Sequence, residues 1–195
     1  MTPQRIEEAE RIEALLRRLS NSIELDATER NRAAGACFAI VQDHFQALLF
    51  LLKHKFNSSA FALLRCFFDA YLRGLWIKHC ASDMQVRDFF NGTEPPKTMV
   101  EEIEDKPTFA TNVLSCIKRQ HWSKMCEFTH TGGLHLKMWQ SFDGIEPHFP
   151  DEELEWCLNS SELYASVAAL ELKKLSRGGD DGKIILDLMN QRWPR

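Results

Sequence analysis

The chain has 195 residues, of which 44% are hydrophobic and 27% charged, as is ordinary for one globular domain with a sizeable core. Its formal net charge of −4 excludes nonspecific duplex binding driven by bulk charge, although RNA or a nucleotide could still bind a local patch. Six cysteines without any Cys-x-x-Cys pair favour neither a disulfide framework nor a structural zinc site, and we expect no cofactor.

The first twenty residues are predicted to form an amphipathic helix. Thr2 and Pro3 suit a cap and a first-turn proline, and apolar residues then recur at helical spacing. The segment is too charged for a signal peptide. The apolar run that precedes Lys53 is interrupted there, before it reaches the length needed to span a membrane. We therefore expect a cytoplasmic protein without a membrane segment.

A second helix is predicted from Asp26, which forms a capping-box pattern with Glu29, to about residue 56. A turn at Asn57 should then make the second and third helices an antiparallel hairpin. In that hairpin His44 lies at about the height of Asp69. It is either a core histidine hydrogen-bonded to a neighbour or a ligand-binding residue.

The stretch 57–80 is the helix around which the other elements are organised, because its apolar residues occur on nearly every side of a helical wheel. The exceptions are Arg65, Asp69 and Arg73, whose spacing places them in one row with the acid between two bases. Two interpretations remain open: an intrahelical ion-pair ladder on a solvated strip, or a charged ligand-binding cleft.

After this helix, Ser82 is predicted to cap a short helix that ends near Phe90. The glycine and two prolines of residues 91–97 then predict a loop. Pro107 is predicted to open a further helix that reaches about Arg119.

The stretch 119–142 is the second one with chemical promise. Ser123 is predicted to start a helix that carries Lys124, Glu127 and His130 and stops at a double glycine. Glu127 could orient or charge the His130 imidazole, since the two share a helix face. The same pattern is also typical of an ordinary helix C-terminus. One isolated Glu-x-x-His is too little for a metal site, and we expect no metal.

Asp151 is predicted to cap a last long helix that reaches about residue 175, and residues 181–193 are predicted to form an amphipathic docking helix. The fold prediction is all-α: a single-domain antiparallel helical bundle of about five main helices plus short ones. It spans residues 1–195, with a core at 26–175 flanked by the helix of residues 1–20 and the docking helix.

Two motifs carry a family resemblance: Leu63-Leu64-Arg65 followed by Asp69 on one helix, and the later sequence CEFTHTGG. They resemble uncharacterised all-helical bacterial proteins with an arginine and a carboxylate on a central helix and a histidine near the end of a later one. More distantly, residues 26–169 are similar to the HEPN superfamily. That superfamily includes metal-independent ribonucleases and nucleotide-modifying toxins of bacterial toxin–antitoxin and phage-defence systems. The resemblance implies a homodimer formed through the long helices.

An active HEPN ribonuclease carries an arginine a few residues before its histidine. Here His130 matches the histidine, and Lys124 stands in the place of the arginine with five residues between them. Lysine cannot reproduce the bidentate phosphate fork of arginine, although it supplies a point charge and Arg65 could approach from another helix. This departure weakens the ribonuclease interpretation.

Three functions follow from these patterns. We favour a noncatalytic interaction or sensor module, whose outer helices would bind a protein partner. The alternative is an enzyme acting on RNA or a nucleotide, with His130 as general acid or base, Glu127 tuning it, and Arg65, Arg73 or Lys124 stabilising phosphate charge. The third is a small-molecule-binding bundle with an anion site at Arg65 and His130.

Overall fold

The computed structural model describes residues 1–21, 23–109, 112–176 and 182–193, and helices dominate these ranges. In chain order they are α1 (Pro3–Ser20), α2 (Glu29–Lys53), α3 (Asn57–His79), α4 (Asp83–Phe90), α5 (Met99–Glu104), α6 (Val113–Thr129), α7 (Gly133–Lys137), α8 (Asp151–Lys173) and α9 (Gly182–Arg192). Within the described ranges the strand-like contacts are two isolated bridges, Leu25 with Ser176 and Gln140 with Ile145. The prediction of an all-helical protein is therefore confirmed.

Two helix starts follow the sequence signals directly. The Thr2 hydroxyl accepts a hydrogen bond from the first turn of α1, and Pro3 occupies the first helical position. Ser82 and Gln85 form a reciprocal capping box at the start of α4. In both cases a local side chain satisfies backbone N–H groups that the helix leaves unpaired.

The predicted start of α2 was wrong by a few residues. The N-cap is Thr28, whose hydroxyl accepts from the backbone N–H of Asn31 at 3.1 Å. Asp26 lies before the cap, and its backbone carbonyl accepts from the N–H of Thr28 at 2.8 Å. Aspartate and threonine are both favourable N-cap residues, so residue type alone does not show whether Asp26 or Thr28 caps the helix.

The prediction of two separate helices at 107–119 and from Ser123 was also wrong. Residues 105–109 form turns and bends, and α6 begins at Val113, after Asn112 in a left-handed conformation with φ of 65°. From there α6 continues without a break to Thr129. Asparagine tolerates the left-handed conformation better than most residues, which lets the chain turn into the helix there.

α2 and α3 are joined by residues 54–56 and pack against each other and against α8. The two helices pack tightly at Gly74, where a Cβ atom would lie 2.6 Å from the ring of Phe38. Arg30, near the start of α2, donates to the carbonyl oxygens of Ile77 at 2.9 Å and of Ala81, beyond the end of α3. The start of α2 thus lies beside the end of α3.

α8 holds both outer helices through one carboxylate. Glu162 is fully buried and accepts from Arg5 of α1 at 2.7 Å and from Arg192 of α9 at 3.2 Å. Asn159 accepts from the same two arginines. Because an interior carboxylate needs partners, Glu162 links the docking of α1 and α9. Of the predicted docking helix, residue 181 lies outside the described residues, and Ile185 is buried.

Within the described residues, α2 is long and apolar enough to cross a membrane by length and composition alone. This corrects the expectation that the chain has no apolar run of that length. One face of α2 is buried inside the protein, with Phe38, Val41, Phe45 and Leu48 fully covered, while 39% of its apolar window as a whole is buried. Because buried core helices pass the same test, the length of α2 is weak support for a membrane span.

Candidate functional site

The row predicted on α3 lies at the edge of the core. Arg65, Asp69 and Arg73 have side chains 28%, 29% and 32% exposed, while Leu64, Phe68 and Leu72 beside them are buried. α5 and α6 pack against α3, and residues of α6 and of the loop after α4 meet the row. The row is therefore half-buried and reachable from solvent.

Arg65 joins the row to His130, the residue that directly follows α6. Arg65 Nη1 donates to His130 Nε2 at 2.7 Å, and the guanidinium carbon lies 4.9 Å from the centroid of the Trp122 ring. A guanidinium only donates hydrogen bonds, so Nε2 of His130 is the acceptor in this contact. The structure thus brings together two residues that are 65 positions apart in the sequence.

The end of α6 is held in place against the first half of α3. The hydroxyl of Thr129 donates to the carbonyl oxygen of Ala62 at 3.1 Å. The neighbouring Phe128 is buried, and its ring centroid lies 4.6 Å from that of Phe61. These contacts fix the backbone that presents His130 to Arg65.

Arg73 marks the other end of the row. Its Nη2 lies 2.7 Å from the Glu94 carboxylate, and its guanidinium carbon lies 5.5 Å from the centroid of the Phe89 ring. Glu94 belongs to the loop that follows α4, as predicted for residues 91–97. A cavity of about 230 Å³ lies between this loop, α3 and α6. It is lined by Arg65, Asp69, Arg73, Glu94, Pro95, Pro96, Met99 and Trp122.

Asp69 lies between the two arginines, but their hydrogen bonds go to His130 and Glu94. The Asp69 carboxylate lies 3.8 Å from Arg65 Nε, which is an ion-pair distance and too long for a hydrogen bond. Burial raises the pKa of Asp69, and the positive charges of Arg73 and Arg65 offset this only in part. The three side chains therefore do not form a continuous hydrogen-bonded ladder, because Asp69 is hydrogen-bonded to neither arginine.

Glu127 and Lys124 make their contacts away from His130. The Glu127 carboxylate accepts from the backbone N–H of Leu134 at 3.0 Å and fills the space beside Gly132. Lys124 forms an ion pair with Glu153, and its Nζ lies 4.1 Å from the centroid of the Trp156 ring. These contacts place Glu127 at the turn into α7 and Lys124 against α8.

His44 lies on α2, with its ring centroid 6.4 Å from that of Phe67. Burial lowers its pKa, and the charge of Asp43 opposes this in part. Its contacts differ from those of the cavity residues, so the structure joins Arg65, Asp69, Arg73 and His130 around one region and places His44 elsewhere.

Sequence reasoning missed two buried carboxylates on α8, Glu162 and Glu171. Glu171 accepts from Lys78 at 2.9 Å, His79 at 2.7 Å and Lys174 at 2.7 Å. An acidic residue at a position that the helical pattern predicts to be buried could have identified them. That prediction requires knowing which face of α8 packs against the core. Among the described residues, no three His, Cys, Asp or Glu side chains are grouped as a metal site would require.

A family profile described as a family of unknown function (DUF6988) matches residues 38–190. The match covers α3 to α8 and most of α2 and α9, including every residue of the cavity. No curated protein and no solved structure matches the chain.

Proposed function

The chain belongs to DUF6988, a family of unknown function, and we propose that it is a binding module for a phosphate-bearing ligand, namely RNA or a nucleotide. The observation that carries this proposal is the 2.7 Å contact between Arg65 and His130 at a half-buried, solvent-reachable edge of α3. We place the ligand phosphate on Arg65.

The state of Arg65 supports this choice. Its guanidinium lies against the ring of Trp122 and contacts the His130 ring, while the carboxylate of Asp69 is 3.8 Å away. A guanidinium has five N–H donors in a planar fork that suits phosphate oxygens, and a nearby aromatic face holds that plane without consuming donors. A phosphate would thus meet an arginine that is already oriented and only partly neutralised.

Noncatalytic binding is the main form of this proposal, as for a sensor or interaction subunit of the kind found in bacterial defence and toxin–antitoxin systems. We infer one antiparallel bundle from the packing of α2, α3 and α8. We further propose that the protein acts in the cytoplasm. Exposed Ile40 and Phe50 on α2 support a homodimer or a protein partner at that face.

The second candidate is a metal-independent ribonuclease or nucleotide-acting enzyme, and the pairing of His130 with Arg65 is the observation that favours it. A phosphate bound to Arg65 would release Nε2 of His130, which could then accept a proton from an attacking hydroxyl. Arg65 would stabilise the charge that develops on the phosphate.

Binding of a short fluorescein-labelled single-stranded RNA, followed by anisotropy at low and moderate salt, tests the proposal. We expect wild-type binding that weakens with salt, and a large loss in Arg65→Ala. Arg65→Lys should retain only part of the affinity, because it keeps the charge and loses the fork. The matched control is Arg11→Ala, since Arg11 is 82% exposed on α1. Equal affinity of wild type and Arg65→Ala would refute the proposal.

The same RNA, incubated in EDTA and resolved on a gel, separates the two candidates. Cleavage by wild type that His130→Ala abolishes, with an unchanged melting temperature, would establish the enzyme. Intact RNA in the presence of tight binding would establish the noncatalytic module.

A further inference from the structure

The carboxylate of Asp69 has hydrogen-bonding capacity that its neighbours leave unused. It lines the cavity, is mostly shielded from water, and has Arg65 Nε at 3.8 Å as its ion-pair partner. The hydrogen bonds that would close an Arg–Asp–Arg ladder go instead to His130 and Glu94. A carboxylate in such a place favours a ligand that donates hydrogen bonds to it.

Four of the residues that line the cavity are charged, and the other four offer apolar surface against which a flat ring can pack. Pro95, Pro96 and Met99 line one part of it, and Trp122 lines the part beside Arg65. Its volume of about 230 Å³ is below the range of about 300–1,000 Å³ typical of sites for drug-sized ligands. This volume suits one nucleobase better than a larger ligand.

We propose that this cavity binds a guanine base, with Asp69 accepting hydrogen bonds from the N1–H and the N2 amino group. The inference rests on the proposed function, because it takes the base from the same ligand whose phosphate binds Arg65. Asp69 is then the residue that determines base specificity, and Arg65 remains the phosphate-binding residue.

Guanine is favoured because its Watson–Crick edge places two N–H donors side by side, and these match the two acceptor oxygens of a carboxylate. Adenine and cytosine present one amino group beside a ring nitrogen that is itself an acceptor. Uracil presents one N–H between two carbonyl oxygens. Each of these three bases would set an acceptor against the Asp69 carboxylate, and a site built to satisfy a polar pair discriminates strongly against such mismatches.

Isothermal titration of the full chain with GMP, AMP, CMP and UMP tests the assignment. We expect GMP to bind on the order of tenfold or more tightly than the other three, as for a bidentate base contact. Asp69→Asn should remove that preference and tighten AMP binding, because an amide presents one donor and one acceptor and so matches the edge of adenine better than that of guanine. The matched control is Asp43→Asn, which neutralises an exposed aspartate on α2.

The outcomes separate this inference from the proposed function. Equal binding of all four nucleotides, or a guanine preference that survives in Asp69→Asn, would overturn the guanine assignment. Absence of GMP binding would overturn it as well. In each case the phosphate proposal is judged independently by RNA anisotropy and its dependence on Arg65.

Discussion

Replacing Glu171 with glutamine should make the protein markedly less stable at neutral pH. Glu171 is 2% exposed and binds Lys78 and His79 of α3, which join α8 to α3, as well as Lys174 at the end of α8. Burial alone would raise its pKa, but hydrogen bonds from His79, Lys174 and Lys78 outweigh burial and lower the pKa from 4.5 to about 2. At about 1.4 kcal/mol per unit, the ionised form stabilises the fold by roughly 3 kcal/mol.

The sign of the pH dependence follows from the lowered pKa. Stabilisation by Glu171 is fully present above the ordinary pKa of 4.5 and is lost as the pH falls through about 2. The free energy of unfolding of wild type should therefore exceed that of Glu171→Gln by roughly 3 kcal/mol at pH 7, and the difference should vanish near pH 2.

Urea unfolding followed by circular dichroism, at several pH values between 7 and about 2, measures this difference. Glu101→Gln is the control, because Glu101 is exposed on α5 and its loss should change stability by less than about 0.5 kcal/mol. If the stability difference for Glu171→Gln is the same at pH 7 and pH 3, the ion-pair account of this residue is wrong.

Three further outcomes are expected. Gly74→Ala should lower the free energy of unfolding by about 1–3 kcal/mol in thermal melts, because its Cβ would lie 2.6 Å from Phe38, whereas Gly144→Ala, with open space around it, should not. Asp69→Asn should raise the melting temperature at pH 7, because burial raises the Asp69 pKa and disfavours its ionised form, and this gain should disappear below the ordinary pKa of 3.8. Glu162→Ala should speed amide hydrogen exchange in both α1 and α9, and a change confined to one of them would contradict the shared contact.

Local signals in the sequence predicted most of the helices. Thr2 with Pro3, and Ser82 with Gln85, cap their helices through contacts within a few residues, so no tertiary information is needed. The start of α6 is different. Asn112 leads into that helix with a left-handed backbone, and a proline five residues earlier gave the stronger but misleading signal.

The candidate site was predictable only in part. The spacing of Arg65, Asp69 and Arg73 places them on one face of a helix regardless of the tertiary structure. The cavity lies against that face. The partner of Arg65 depends on how α6 is placed, which Thr129 and Phe128 determine through contacts across the fold. Helical periodicity holds no information about such pairings, which is also why the partners of the buried acids on α8 went unpredicted.

The carboxylate shared by α1 and α9 has a consequence for synthesis on the ribosome. Arg5 leaves the exit tunnel first, but Glu162 follows 157 residues later, and Arg192 lies 30 residues beyond that. Until α8 emerges, α1 therefore lacks its buried carboxylate partner, and the part of its surface that packs against α8 is open to chaperones. α1 gains its buried carboxylate partner only once Glu162 of α8 has emerged, and the shared contact is complete only when Arg192 follows, so a product that stalls before α8 carries an amino-terminal helix without that anchor.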